Sequence, residues 1–277
     1  MCTFNGARYI EQQLESVLFQ TVPPAEVVVS DDASTDGTLD TVRAVAARHR
    51  VGTVIRIIEN DSPLGVVRNF EQAVLACRYE LIALCDQDDV WQPGRLERMV
   101  REFEARPDLA VLFTDARLVD AAGAPLGSLF DALEISGTDL TAISAGRAFA
   151  TLLRRNLATG ATMVFRRGVL EAAVPFPATW IHDEWLIAVA AATAEVDWLP
   201  DQLIDYRQHG RNQIGASRPS LRRKLRKATE PRDGRYVHLA QRSHDLLERL
   251  LATGSPEPVL ELARAKALDV SRQPLRD

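Results

Sequence analysis

Residues 81–91 read Leu-Ile-Ala-Leu-Cys-Asp-Gln-Asp-Asp-Val-Trp, and few folds tolerate such a run. The apolar part, 81–85, has the length and composition of a strand buried on both faces. It stops on Asp86, Asp88 and Asp89, three carboxylates within four positions, and Pro93-Gly94 then opens a helix. Carboxylates this close repel and raise one another's pKa, so a chain normally spreads them out. At the carboxyl end of a buried strand they make best sense around a cation. Mg²⁺ suits the place, because it takes one or two carboxylates and leaves its other positions to water and substrate phosphates. The plain alternative is an acidic turn with one Asp capping the next helix.

The chain ahead of this stretch repeats one unit. Val27-Val28-Val29 is a buried strand that stops at Asp31-Asp32-Ala33-Ser34-Thr35-Asp36-Gly37, and 54–58 is another, followed by Asn60, Pro63 and Gly65. Amphipathic helices alternate with them: Ile10, Leu14, Val17 and Leu18 share one face, then Leu39, Val42 and Val45, and a third helix spans 66–77. Strand, polar loop, helix is the rhythm of an open parallel sheet. Ligands of such sheets sit outside the carboxyl ends of the strands. The loops at 3–6, 31–37, 60–65 and 86–93 are therefore expected on one rim. That gathers Asp31, Asp32, Asp86, Asp88 and Asp89, which only a metal or a hydrogen-bonding polar ligand makes tolerable.

Beyond the acidic stretch the expected elements are a helix at 94–106, a strand at 110–114, and a loop over the site at 121–144. A helix at 147–155 and a strand at 162–165 follow. His182-Asp183-Glu184-Trp185 opens an apolar helix that ends near Thr193, and two short strands, 196–199 and 203–206, lead to Arg207. Composition changes at Arg218, where Arg222, Arg223, Lys224, Arg226 and Lys227 complete a basic cluster ahead of two amphipathic helices. We therefore expect a main domain at 1–215 and a helical extension at 216–277. The 277 residues are 46% hydrophobic and 26% charged, the balance of a soluble globular protein. A net charge of −5 argues against nonspecific nucleic-acid binding. Cys2, Cys77 and Cys85 lack CxxC spacing, so neither a disulfide framework nor a zinc site is suggested. With no run of transmembrane length and no signal-peptide layout, the expected compartment is cytoplasmic.

Five motifs occur in order: Thr3-Phe4-Asn5-Gly6, Asp31-Asp32-Ala33-Ser34-x-Asp36-Gly37-Thr38, Asn60-x-x-x-x-Gly65, Asp86-Gln87-Asp88-Asp89 and His182-Asp183. In this order the chain resembles the family 2 glycosyltransferases, inverting enzymes with a GT-A fold, from about Cys2 to Asn212. The fold implied is α/β: the GT-A (nucleotide-diphospho-sugar transferase) fold, a mostly parallel twisted sheet flanked by helices, here with a C-terminal helical appendage. His182-Asp183-Glu184-Trp185-Leu186, followed by Tyr206-Arg207-Gln208-His209-Gly210-x-Asn212, resembles the rhamnosyltransferase-like bacterial members.

The resemblance implies transfer of a sugar, rhamnose among the candidates, from a nucleoside-diphosphate donor. The acceptor would be a hydroxyl of a saccharide or lipid-linked saccharide in cell-surface polysaccharide synthesis, with Mg²⁺ or Mn²⁺ as cofactor. Thr3, Asn5, Asp31 and Asp32 would hold the nucleoside. Asp32 would accept from the imide N–H of uracil or thymine, a task for an acceptor-only group. Gly65 belongs to the same site, and Arg68, one turn into the next helix, could reach base or phosphates. Asp86 and Asp88 match the family's DxD, one at the ribose and the other at the metal, with Asp89 a second possible ligand; the sequence leaves their division open. His209 could bind diphosphate or metal. Asp183 matches the general base, at a helix start where the macrodipole and free N–H groups favour an anion. Asp183 as a simple N-cap is the alternative. Trp91 and Trp185 could stack on sugar or base, although tryptophan is more often buried.

The basic cluster adjoins amphipathic helices, so a peripheral contact with the anionic inner face of the cell membrane is expected, each Lys or Arg adding about 1 kcal/mol. Asp86-Gln87-Asp88-Asp89-Val90 also fits the nucleophile motif of haloacid-dehalogenase-like phosphatases. Those enzymes need a later lysine, and none lies between Trp91 and Pro219. A further rival is a non-catalytic or impaired nucleotide-sugar binder, because little of a first strand precedes Cys2-Thr3.

Overall fold

Helices form where apolar residues recur every three or four positions, and strands where β-branched residues run together. The computed structural model describes residues 1–49, 52–209 and 233–272. In it α1 (Ile10–Leu18) buries Ile10, Leu14, Val17 and Leu18, while α2 (Thr38–Arg48) buries Val42 and Val45. Helix α3 (Val66–Ala76) turns Phe70, Ala73 and Val74 inward. Between them β1 (Cys2–Thr3), β2 (Glu26–Asp31) and β3 (Val54–Glu59) pair in parallel, in the order β1-β2-β3. The polar loops that follow all three strands consequently lie on one rim.

A six-stranded sheet completes the architecture. Its strands are β4 (Leu81–Ala83), β5 (Val90–Trp91), β6 (Leu109–Val119), β7 (Pro125–Ser128), β8 (Val164–Arg166) and β9 (Glu195–Arg207), in the order β4-β8-β6-β9-β5 with β7 on β6. Only β6 and β9 pair in parallel there; the other ladders are antiparallel. The sheet is thus parallel on the amino-terminal side and mixed on the other. Cys2 N donates to Cys85 O at 3.2 Å, which links the two sheets just where the acidic loop begins. An apolar cavity of about 240 Å³ lies between them, walled by Val27, Val28, Phe70, Ile82 and Met99.

The remaining helices are α4 (Arg95–Ala105), α5 (Leu129–Ala132), α6 (Gly137–Ala142), α7 (Ala148–Leu152), α8 (Val169–Ala173), α9 (His182–Thr193), α10 (Asp233–Ala252) and α11 (Glu257–Arg272). Helix α9 is apolar around its whole circumference, and Trp185, Leu186, Ile187, Val189 and Ala190 are all buried. That pattern marks a central helix rather than a surface one. Leu246 and Leu250 of α10 enter the same core.

Two expectations need correcting. Residues 121–144 are not a loop: they hold β7, α5 and α6. These helices are too short to show periodicity, and they start on the side chains of Ser128 and Ser136, which accept from the N–H groups of Asp131 and Asp139. The two strands expected at 196–199 and 203–206 are one strand, β9. Its pairing with β6 slips between Leu199 and Gln202, so Pro200 sits at an irregularity where its missing N–H costs no ladder bond. The basic cluster at 218–227 and Asn212 lie outside the described residues.

Candidate active site

The loops after β1, β2 and β3 are tied to one another by side chains. Asp31, fully buried, accepts from Thr3 Oγ1 at 2.6 Å and Ser34 Oγ at 2.7 Å through Oδ2, and from Ser34 N at 2.8 Å through Oδ1. Asn5, in the left-handed region at φ 48°, accepts the N–H of Thr35 at 2.9 Å. Asp32 reaches across to the third loop, where Leu64 N and Gly65 N donate to its two oxygens at 2.6 and 2.9 Å. Gly65 has φ 81°, which a side chain would resist, and this turns its N–H toward Asp32. Asp31 and Asp32 thus organise the loops themselves, and each carboxylate oxygen of Asp32 keeps a second lone pair for a ligand. Arg68 is half-exposed and paired with Glu71.

The acidic loop is joined to these loops by Gln87, a residue whose importance its sequence position does not signal. Its Oε1 accepts from Phe4 N at 2.8 Å and its Nε2 donates to Phe4 O at 3.0 Å, so the amide mimics one rung of a strand pair. The fit leaves no space at Gly6, where a Cβ would fall 2.2 Å from Gln87 Oε1.

Burial pushes the pKa of Tyr206 well up, and the charges of Asp86, Asp89, Asp88 and Asp183 add to the shift. Asp86 is itself raised to about 7, first by burial and then by the charges of Asp88 and Asp183. Asp89 is also pushed up, by burial and then by Asp88 and Asp86. Its Oδ1 accepts from Arg207 N at 2.9 Å, while Oδ2 is buried with no hydrogen-bond partner among the described residues. Arg207, also missed in the sequence, donates from Nε to Asp88 O at 2.8 Å and from Nη2 to Gln12 Oε1 at 2.9 Å. It holds the acidic loop against α1.

Asp88 Oδ2 lies 2.7 Å from His209 Nε2, and the imidazole is stacked on Tyr9 at 5.1 Å. A carboxylate and an imidazole converge here, but among the described residues no group of three or more His, Cys, Asp or Glu could hold a metal. Hard divalent cations use one or two carboxylates and complete their shell from phosphates and water. A donor set this small fits an ion carried in with a diphosphate, and not one caged by protein.

Asp183 is the second residue of α9, whose N-cap is Ile181. It is therefore not a capping residue. Its Oδ2 accepts from Gly160 N at 2.7 Å and its Oδ1 from Glu184 N at 2.7 Å. Glycine at 160 suits this approach, since a Cβ there would stand 3.0 Å from Asp183 Cβ and 3.1 Å from Oδ2 and would press Asp183 aside. His182 stacks on Phe70 with ring centres 3.6 Å apart. The stacking roles expected for the two tryptophans are corrected. Trp91 is buried under Arg95 at 3.9 Å, and Trp185 is buried with its Nε1 donating to Ala173 O at 2.7 Å. Neither ring faces the site.

Solved glycosyltransferases share this architecture. A mannosyltransferase from Pyrobaculum calidifontis, solved with GDP-Man and Mn²⁺, matches 98% of this chain and 68% of its own with a TM-score of 0.57 at 20% identity. The fold is that of the GT-A glycosyltransferases. The family model for glycosyl transferase family 2 matches residues 1–173, and the chain belongs to that family. An uncharacterized protein of Mycobacterium tuberculosis is 31% identical over 210 residues, covering 75% of this chain. The chain spans 57% of that relative's length. The dTDP-rhamnosyl transferase RfbG of Shigella flexneri is 25% identical over 230 residues, covering 78% of this chain and 74% of its own. Among the described residues no helix is long and apolar enough to cross a membrane.

Proposed function

We propose that this chain transfers a sugar from a nucleoside diphosphate to a saccharide hydroxyl, with inversion, and that Asp183 is the general base. The observation that carries the reading is the position of Asp183: near enough to Asp86 for its charge to raise that group, yet on α9 and not on the acidic loop. A single displacement needs two kinds of carboxylate, one set by the leaving diphosphate and one by the acceptor. Asp86 and Asp88 would take the first role and Asp183 the second. The acceptor oxygen bonds to the anomeric carbon as the bond from that carbon to the phosphate oxygen breaks. The hydroxyl proton passes to a free lone pair of an Asp183 carboxylate oxygen, and the electron pair leaves with the diphosphate. Gly160 N–H and Glu184 N–H hold the carboxylate in place meanwhile. A divalent cation held by Asp88 and His209, with Asp89 behind them, would supply charge stabilisation of the diphosphate. Thr3, Asn5, Asp31, Asp32 and Gly65 would shape the nucleoside site, with Arg68 at its edge.

The similarity to RfbG supports dTDP-rhamnose as the first donor to try, and a lipid-linked or free saccharide as acceptor. We place the catalytic part at 1–215 and the helical extension at 216–277, a boundary within the undescribed residues. The test is Asp183→Asn, which keeps size and hydrogen-bonding oxygen but removes the proton acceptor. Donor binding should stay near wild type and the fold should persist, with stability lower by about 1–3 kcal/mol because the Asn NH2 faces one of the two backbone N–H donors, while turnover falls about 10²- to 10⁴-fold. Wild-type turnover in the Asn variant, or retained anomeric configuration in the product by NMR, would overturn the reading.

A further inference from the structure

The segment that carries Asp183 has little to hold it from within. Helix α9 starts with no capping side chain, at Ile181, and the first N–H groups of a helix have no intrahelical partners. The chain leading into it, 174–181, forms no regular element. Phe176 N donates to Glu71 Oε1 of α3 at 2.7 Å, and several further contacts come from α10. Arg249 donates to the carbonyls of Ala172, Val174 and Pro175 at 2.9, 2.6 and 2.9 Å. Thr179 Oγ1 donates to Asp245, and Trp180 Nε1 donates to Arg242 O at 3.0 Å. The Arg242 guanidinium lies 4.2 Å over the Trp180 ring and donates from Nη2 to Glu184 Oε2. Glu184 is the residue whose N–H holds Asp183 Oδ1.

We propose that Arg242 is a positioning residue for Asp183, acting from α10 through Glu184 and Trp180. The proposal rests on Asp183 being the base. The pair with Glu184 leaves each side chain about 22% exposed, so as a simple ion pair it would stabilise the fold only modestly. Its geometric effect is larger. Gly160 N–H fixes one oxygen of Asp183, and the Glu184 backbone, anchored by its side chain to Arg242, fixes the other. With Arg242 removed, the first turn of α9 keeps the His182 stack on Phe70 and the bond from Trp185 Nε1 to Ala173 O, but the Glu184 side chain loses its anchor and the Glu184 N–H that holds Asp183 Oδ1 is less firmly placed. Glu184 then becomes an unpaired carboxylate beside the base. The helical extension is in this sense part of the catalytic apparatus, although Asp183 remains the group that touches substrate.

The experiment uses the full 277-residue chain and the variants Arg242→Met, Arg242→Lys and the exchanged pair Arg242→Glu with Glu184→Arg. Amide hydrogen exchange is read at Gly160 and Glu184, and Mg²⁺-dependent turnover with dTDP-rhamnose, UDP-GlcNAc and GDP-mannose. In the Met variant exchange at those two amides should quicken about 10-fold or more, while Leu64 and Gly65 in the nucleoside loops stay protected. With whichever donor is used, kcat should fall about 10- to 100-fold with donor KM within twofold, the effect of a misplaced group. Lysine and the exchanged pair should each recover part of both. Unchanged exchange at Gly160 and Glu184 in a folded Met variant overturns the proposal, as does a uniform loss of protection. If the Met variant does not fold, failure of the exchanged pair to restore kcat above its Glu184→Arg parent overturns it instead. Full turnover in Asp183→Asn would sink the base assignment, a separate result from unchanged exchange in Arg242→Met.

Discussion

At the scale of single residues, the site depends on amides and glycines as much as on carboxylates. Gln87 joins the acidic loop to the backbone of Phe4, and Phe4 is 44% exposed, so water can replace those bonds. Gln87→Leu should then cost stability no more than about 1 kcal/mol. Nucleotide binding should suffer more, because the two loops lose their register. We expect calorimetric affinity for nucleoside diphosphates to fall about 10-fold in Gln87→Leu and in Gly6→Ala, equivalent to about 1.4 kcal/mol. Unaltered affinity in both would refute the coupling. His182 offers a pH test. Burial holds its pKa below the ordinary 6.5, with Asp183 opposing the shift, and its Nδ1 has no partner among the described residues. Below pH 6.5 the unfolded chain therefore takes up a proton that the folded chain refuses. Stability is lost as pH falls through that window, because the unfolded state binds more protons there. Denaturant unfolding at pH 7.5 and 5.5 should show a smaller drop for His182→Gln than for wild type. An equal drop in both would contradict this.

At the scale of elements, the sequence was legible wherever one element carries its own periodic signal. Val27-Val28-Val29 and the Leu14–Val17–Leu18 face announce β2 and α1, and the loops after them met on the expected rim through Thr3–Asp31, Asp32–Gly65 and Gln87–Phe4. Helix α9 was legible too, since an apolar run of that length has few other homes. What stayed hidden was set by partners far away in the chain. Strand β9 is continuous past Pro200 only because β6 lies alongside and absorbs the slip, which no local window reveals. Helices α5 and α6 have four and six residues, too few for a 3.6-residue period to repeat. Gly160 and Arg242 gain their meaning from Asp183 and Glu184, residues 23 and 58 positions away. Trp91 and Trp185 look alike as aromatic candidates for a sugar, and only their burial decides against that use.

At the scale of the whole molecule, two halves with different histories of contact meet at the site. The loops after β1, β2 and β3 are assembled from residues near one another: Thr3 and Asp31 are 28 positions apart, and Asp32 and Gly65 are 33 apart. The acidic loop is completed only by β9, through Asp89 with Arg207 and Asp88 with His209, separations of 118 and 121. Closing a longer loop costs more chain entropy, and non-local pairing slows folding. The order in time should follow. After dilution from denaturant, protection of the β1-β2-β3 amides should return no later than that of β9, and competence to bind a nucleotide with Mg²⁺ should appear only with the β9 amides. Pulsed hydrogen exchange alongside stopped-flow nucleotide binding would measure both, and binding that precedes β9 protection would refute the order. A ribosome imposes the same sequence, because β9 leaves it after β1, β2, β3 and the acidic loop. Until β9 emerges, the chain would hold the three joined loops after β1, β2 and β3 without a completed acidic loop.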